Sequence, residues 1–532
     1  MKKLEKEKIK YFIDLINKQK FNEVIGELKI ILSINNNDPS ALELLGFAYE
    51  RSQNYKDSIN IYKKLLIFNK NFKIYDRLGL VCLKSGRFKE ASEYFQNSLK
   101  LNLDNPVAYN NKGLALAYLK KEDDAITNFQ KAIAINKKYK EPVYNLLEIF
   151  EKINSTKNFQ DLTKSSYKKF KNDPIIEFYY ARYLEQINNL KDSKKILQNI
   201  NFKDNKVWNI RKLYFIGEVS NSLGQYPQEF KYFKQANDET IKLVGYNNIK
   251  NNKYIKNLKE YMHGKKNIIN FRDTQQMTKK NYPKLFFLIG FPRSGTTLID
   301  TILRTYSNVR VIEEKPFVAK MRNEYNLLNK SKNLNKNIIS KLSKIYLSEV
   351  CKNLQLNDLS NLTIVDKFPL NMVESRFIKK IFPNSKFIFV LRHPLDCVLS
   401  GYMQQFVLND AMLNFLDLNS AAEMYNDVMK LWLSYKEISN ASIHTMKYEN
   451  LIENFEETIR GLLQFMNLKW NNNVTEFNKI ALKRDRIRTP SYKQVVKPIY
   501  KSSNQKWKNY SKELDVIKPK LESWIKYFNY DL

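Results

Sequence analysis

The chain has 532 residues, and its 90 Lys and Arg against 55 Asp and Glu give a net charge of +35. That length predicts two or three domains, each large enough to bury a core. No apolar run approaches a membrane-spanning length, and Cys82, Cys351 and Cys397 are too scattered for a disulfide framework or a metal site. His263, His393 and His444 form no ligand cluster. Lys is spread along the whole chain together with Asn, so the charge reads as compositional bias, with no nucleic-acid partner expected. It suits a polyanionic ligand or an acidic acceptor.

The N-terminal MKKLEKEKIKYFIDLI is basic and amphipathic and lacks the apolar core of a signal peptide, which points to a cytoplasmic protein. Gly46, Gly79 and Gly113 follow at intervals of 33 and 34 residues. Twelve residues beyond each stand Ser58, Ala91 and Ala125, and four further on Tyr62, Phe95 and Phe129. This period and small–aromatic pattern resembles tetratricopeptide repeats, each a helix-turn-helix that must stack to bury its apolar face. Asp173 to Ile200 reads as another helical pair. A degenerate repeat resumes over Tyr214 to Ala236, with Gly217, Glu229 and Phe233 in the corresponding places. An α-solenoid is expected over residues 5–240, offering a concave surface to a peptide or protein partner or packing on the rest of the chain. Residues 241–283 are rich in Lys and Asn with sparse apolar positions and read as a connector helix or linker, with few contacts crossing it.

Residues 284–532 carry the chemistry. Leu285 to Ile289 reads as a buried strand of a parallel sheet. A Gly-Phe-Pro-Arg-Ser-Gly loop follows within GFPRSGTTL, and then an apolar-periodic helix. Strand, glycine loop and helix hold phosphates, because backbone N–H groups and the helix dipole both favour an anion. Gly290 and Gly295 have Walker spacing, but Thr296 stands where a Walker loop needs Lys, and the cation is Arg293. That argues against an ATP-dependent kinase-like enzyme.

PRSGTTL resembles the 5′-phosphosulfate loop of sulfotransferases, which use 3′-phosphoadenosine 5′-phosphosulfate (PAPS). The resemblance implies that Arg293 holds the 5′-phosphate, with Ser294, Gly295, Thr296 and Thr297 as donors. Further along, the strand-like KFIFVL is followed by Arg392, with Ser400 eight residues later, the spacing with which these enzymes bind a 3′-phosphate. VRVIEEK is similar to protein-tyrosine sulfotransferases, in which the second Glu is the base; the match assigns Glu314 that role, beside Glu313. In TIVDKFPLN, Lys367 matches the Lys on the leaving group's bridging oxygen, with Asp366 read as orienting it. Tyr448, in IHTMKYENL, matches a Tyr packed by the nucleotide. RTPSYKQVVKPIYKSSNQKW places Ser491 near the sulfuryl group and Lys506 near the phosphates. Lys315 and Pro316 depart from the tyrosine enzymes' Thr-Arg, which bears on acceptor recognition.

The chain thus resembles a cytosolic, bacterial-type repeat–sulfotransferase fusion. Its expected fold is an α-solenoid of tetratricopeptide repeats followed by a P-loop-like α/β domain with a parallel sheet. The expected reaction is metal-free transfer from PAPS to a hydroxyl on a protein tyrosine, a glycan or a small molecule. The alternative is a repeat-based interaction protein whose sulfotransferase-like domain binds a nucleotide without turning over.

Overall fold

The structure, a computed structural model, describes residues 4–262, 283–328, 334–438, 442–483 and 505–532. It divides into two compact units, Met1–Asn188 and Asn189–Leu532.

The first unit is built from helix pairs, among them Pro39–Arg51 with Tyr55–Phe68, Phe72–Lys84 with Phe88–Leu101, and Pro106–Tyr118 with Glu122–Ile135. The 33- and 34-residue period is a packing rule. A Cβ on Gly46, Gly79 or Gly113 would lie 2.9, 2.7 or 2.6 Å from the ring of Tyr62, Phe95 or Phe129, respectively. The missing side chain is what lets each aromatic ring reach the opposite helix. Ala91 and Ala125 are fully buried, and Ser58 Oγ donates to the Gly46 carbonyl at 2.8 Å. The first helix of several pairs begins with a side-chain cap: Asp38 accepts from the N–H of Ser40 and Ala41, Asn105 from Ala108, and Asp173 from Ile175 and Ile176.

The second unit opens with Leu190–Asn199, Lys206–Ser222 and Tyr226–Val244. Gly217 faces Phe233 as the repeat register predicts, with a looser 3.0 Å to a Cβ. These helices share a unit with the sheet. Phe230 stacks on Tyr402 with centroids 5.6 Å apart, and Asn237 Nδ2 donates to the Tyr402 carbonyl at 2.9 Å. The expectation of few contacts across the Lys/Asn-rich connector is corrected as far as Met262. Asn252 Nδ2 donates to the Asp410 carbonyl at 2.7 Å, and Leu258 on the helix Lys253–Met262 is buried in the sheet domain's core. The apolar positions there are few, but they lie on one face of a helix, and that face is docked.

Five parallel strands form the sheet in the order β2–β3–β1–β4–β5, where β1 is Lys284–Gly290, β2 Val309–Glu313, β3 Thr363–Lys367, β4 Lys386–Leu391 and β5 Ile443–Lys447. Both faces are covered, which explains the unbroken apolar runs. Leu285, Phe287 and Ile289 enter one core with Ile364, Phe387 and Phe389, while Phe286 and Leu288 enter the other with Val365, Ile388 and Val390. From β1 the chain crosses to β2 at one edge, and from neighbouring β4 to β5 at the other. The connections diverge between β1 and β4, which opens a crevice at their carboxyl ends, the place where open α/β sheets bind ligands. No helix among the described residues is long and apolar enough to cross a membrane.

Candidate active site

Most of the predicted residues gather along the carboxyl edge of the sheet. Register places Gly290 beside Val390, Leu288 beside Lys367, and Lys367 beside Glu313. Adjacent strands are about 4.8 Å apart, so β1, β2, β3 and β4 present their ends side by side.

The loop after β1 turns sharply. Gly290 has no room for a Cβ, which would lie 2.5 Å from the Val390 carbonyl oxygen and 2.6 Å from Ser294 Oγ. Arg293 and Gly295 take left-handed backbone with φ of 72° and 103°. At Gly295 a Cβ would also strike the Tyr448 ring. The helix Thr296–Leu303 begins immediately afterwards. Among the described residues, the backbone N–H groups of Gly295 and Thr296 meet no acceptor, and Ser294 Oγ, on a side chain 1% exposed, has no hydrogen-bond partner. Unpaired donors at a helix start favour an anion.

The loop and the β4 end are tied together. Arg293 Nε donates to Ser400 Oγ at 3.1 Å, on the helix Pro394–Tyr402. Arg392 Nη1 donates to the Arg293 carbonyl at 3.1 Å. The Arg392 guanidinium lies 4.8 Å above the Tyr448 ring, which also covers Gly295. Arg293, Ser400, Arg392 and Tyr448, separated by up to 155 positions, thus form one cluster. Asp396 lies outside the sequence-predicted set. It sits 3.7 Å from Arg392 one helical turn on, and it accepts the Trp507 N–H at 2.9 Å. Burial pushes the Asp396 carboxyl up, against the pull of Arg392. The signal available in the sequence was the i,i+4 spacing of Arg and Asp in RHPLD.

Beside this cluster, Lys367 Nζ lies 2.8 Å from Glu314 Oε1 and 3.7 Å from Glu313 Oε1. Lys367 is fully buried, whereas the Glu314 side chain is 36% exposed and can meet an incoming molecule. Glu314 is held in left-handed backbone at φ 47°, its N–H donating to the Lys367 carbonyl at 2.8 Å. Such a conformation costs a non-glycine residue about 1–3 kcal/mol.

Asp366 does not orient Lys367: strand alternation turns it into the core, where it accepts from Tyr346 OH at 2.8 Å and Asn371 Nδ2 at 3.5 Å. Lys506 Nζ is directed to Glu229 Oε1 at 2.8 Å, so its ammonium is committed to a carboxylate. Ser491 lies outside the described residues.

Residues 283–472 match the family model for the sulfotransferase family. The chain carries a sulfotransferase-family domain. Residues 72–105 and 106–139 each match the tetratricopeptide repeat. The chain is 34% identical over 247 residues to an uncharacterised protein of Aquifex aeolicus, covering 43% of this chain and 31% of that one. It is 25% identical over 250 residues to protein-tyrosine sulfotransferase 1 of Danio rerio, covering 42% of this chain and 65% of that one. The protein-tyrosine sulfotransferase of Drosophila melanogaster is 24% identical over 245 residues, with 42% and 46% covered. The chain thus spans between 31% and 65% of the length of these relatives. The matched segment holds the loop, Glu313, Glu314, Lys367, Arg392, Ser400 and Tyr448, but not Glu229 or Lys506.

Proposed function

We propose that this chain is a PAPS-dependent sulfotransferase that moves a sulfuryl group to an acceptor hydroxyl, with a peptide tyrosine the favoured acceptor. The observation that carries the reading is the juxtaposition of two devices on one sheet edge: an anion cradle at β1 and β4, and a carboxylate–ammonium pair at β2 and β3. The unsatisfied donors at Ser294, Gly295 and Thr296, of which Ser294 and Thr296 are buried, fit a phosphate, and so do Arg293 and Arg392 beside them. The tyrosine acceptor is supported by the likeness to protein-tyrosine sulfotransferases.

PAPS, when bound, supplies an activated sulfuryl group on its 5′-phosphate. The residues of this chain do the rest. Arg293 and the loop donors hold the 5′-phosphate, and Arg392 with Ser400 holds the 3′-phosphate. Glu314 accepts the hydroxyl proton as the acceptor oxygen bonds to sulfur and the sulfur–phosphate oxygen bond breaks. Lys367 stabilises the charge left on that phosphate oxygen. The ammonium that holds Glu314 at 2.8 Å is thus also the cation assigned to the leaving group. Its move toward phosphate would release the carboxylate to the hydroxyl, coupling nucleotide binding to base availability.

Glu314→Gln tests the chemistry. Turnover should fall by about 10²–10⁴-fold while nucleotide affinity holds or rises, because the substitution keeps shape, removes the proton acceptor and frees Lys367 from its ion pair. Across acceptors of falling hydroxyl pKa the defect should shrink, since an acidic phenol needs little help from a base. A defect of constant size along the series would make Glu314 a positioning residue and put the base elsewhere.

A further inference from the structure

Glu229 breaks the rule of its own repeat. Counted from Gly217, it occupies the place filled by Ser58, Ala91 and Ala125 in the earlier repeats, where paired helices leave room for small side chains. A glutamate there has no use in repeat packing. Yet it is 1% exposed, and both of its oxygens are engaged from about 280 residues away. Oε1 accepts from Lys506 Nζ at 2.8 Å, and Oε2 accepts from Tyr510 OH. Tyr510 is itself fully buried, against Tyr226 and Phe230 of the same helix as Glu229.

The next residue in the chain carries the connection onward. The N–H of Trp507 donates to Asp396 Oδ1 at 2.9 Å, and the Trp507 ring stacks on His393 with centroids 4.9 Å apart. Asp396 faces Arg392 at 3.7 Å, and Arg392 holds the Arg293 carbonyl at 3.1 Å. A continuous path of polar contacts therefore runs from the last repeat-like helix to both arginines of the anion cradle.

We propose that Glu229 is a positioning residue for nucleotide binding: it anchors Lys506 and Tyr510, so that the Trp507 N–H holds Asp396 and Asp396 holds Arg392 in the crevice. The inference rests on the function proposed above, and it makes the helix Tyr226–Val244, which precedes the matched sulfotransferase segment, a working part of the nucleotide site. It also assigns Lys506 to the anchor, and not to the phosphates.

The test uses the full chain and two probes, adenosine 3′,5′-bisphosphate and adenosine 5′-phosphate, titrated calorimetrically. Glu229→Gln should weaken the bisphosphate by about 2- to 30-fold, the range for residues that act through a contact network. It should weaken the monophosphate less, so the preference for the 3′-phosphate falls. Tyr510→Phe, which removes one hydroxyl, should shift the preference the same way by a smaller factor. In an Arg392→Ala background the Glu229→Gln effect should vanish, because the path then ends on nothing. A merely structural role would lower the melting temperature and leave the preference intact. If Lys506 were a phosphate ligand held back by Glu229, Glu229→Gln would tighten binding. A preference that is unchanged or increased in Glu229→Gln, in the presence of a clear wild-type preference, overturns the inference alone. A wild-type protein with no preference for the 3′-phosphate overturns the proposed function and removes the ligand named here.

Discussion

Asp366 and Lys367 are neighbours with opposite fates, and the strand's two-residue alternation is the reason. Lys367 ends β3 and meets the two glutamates, while Asp366 points into the core beneath Tyr346. Burial pushes the Asp366 carboxyl up to about 7, with the Tyr346 hydroxyl opposing. This folded value lies above the ordinary 3.8, so the native protein holds the proton more tightly than the unfolded chain does. The resulting stability is fully present below about pH 4 and is lost as pH rises through about 7. Asp366→Asn cannot ionise, so the variant's melting temperature minus the wild type's should grow between pH 5 and pH 8. Parallel curves would show that Asp366 does not titrate in this range. The charges at the strand ends were legible in the sequence because each interrupts an apolar run. Their partners were not: which of two adjacent acids faces the crevice depends on register, and Glu314's left-handed backbone depends on its bond to the Lys367 carbonyl.

At the level of elements, the repeat pattern was legible because it is a contact written three times. The same contact makes opposite predictions for two glycines, both in helices. A Cβ added to Gly26 would meet nothing within 4 Å, so Gly26→Ala should stabilise its helix by up to about 1 kcal/mol through propensity alone. Gly79 faces the fully buried Phe95, whose ring lies 2.7 Å from where a Cβ would go. Gly79→Ala should therefore lose about 1–3 kcal/mol to overpacking, more than propensity returns. Denaturant midpoints of the repeat transition should move in opposite directions for the two variants. Movement in the same direction would mean that helix propensity, not the glycine–aromatic fit, governs the array. The strands of the sheet were equally plain as apolar runs, but their order was not, because nothing local distinguishes β3 between β2 and β1 from any other arrangement. That order creates the crevice and brings Arg293 to Ser400 across 107 positions.

For the whole molecule, composition and packing draw different lines. The Lys/Asn-rich stretch beginning at residue 241 stands out in the sequence, yet the chain divides between Asn188 and Asn189. The helices after that point carry the repeat register and also the residues that grip the sheet domain: Glu229, Phe230, Asn237 and Leu258. Only the three-dimensional contacts reveal the second role, since a glutamate at a repeat's small-residue position reads as degeneracy until its partner is found. The crevice at β1 and β4 is proposed above to take a 3′-phosphorylated adenine nucleotide. The most direct test of that proposal is calorimetric titration of the full chain with adenosine 3′,5′-bisphosphate in the presence of a chelator, against ATP with Mg²⁺. The bisphosphate should bind saturably without added metal, about 10- to 150-fold tighter than adenosine 5′-phosphate, the value of one charge-assisted phosphate contact. Equal affinity with and without the 3′-phosphate, or tight binding of ATP only with Mg²⁺, would contradict the proposal.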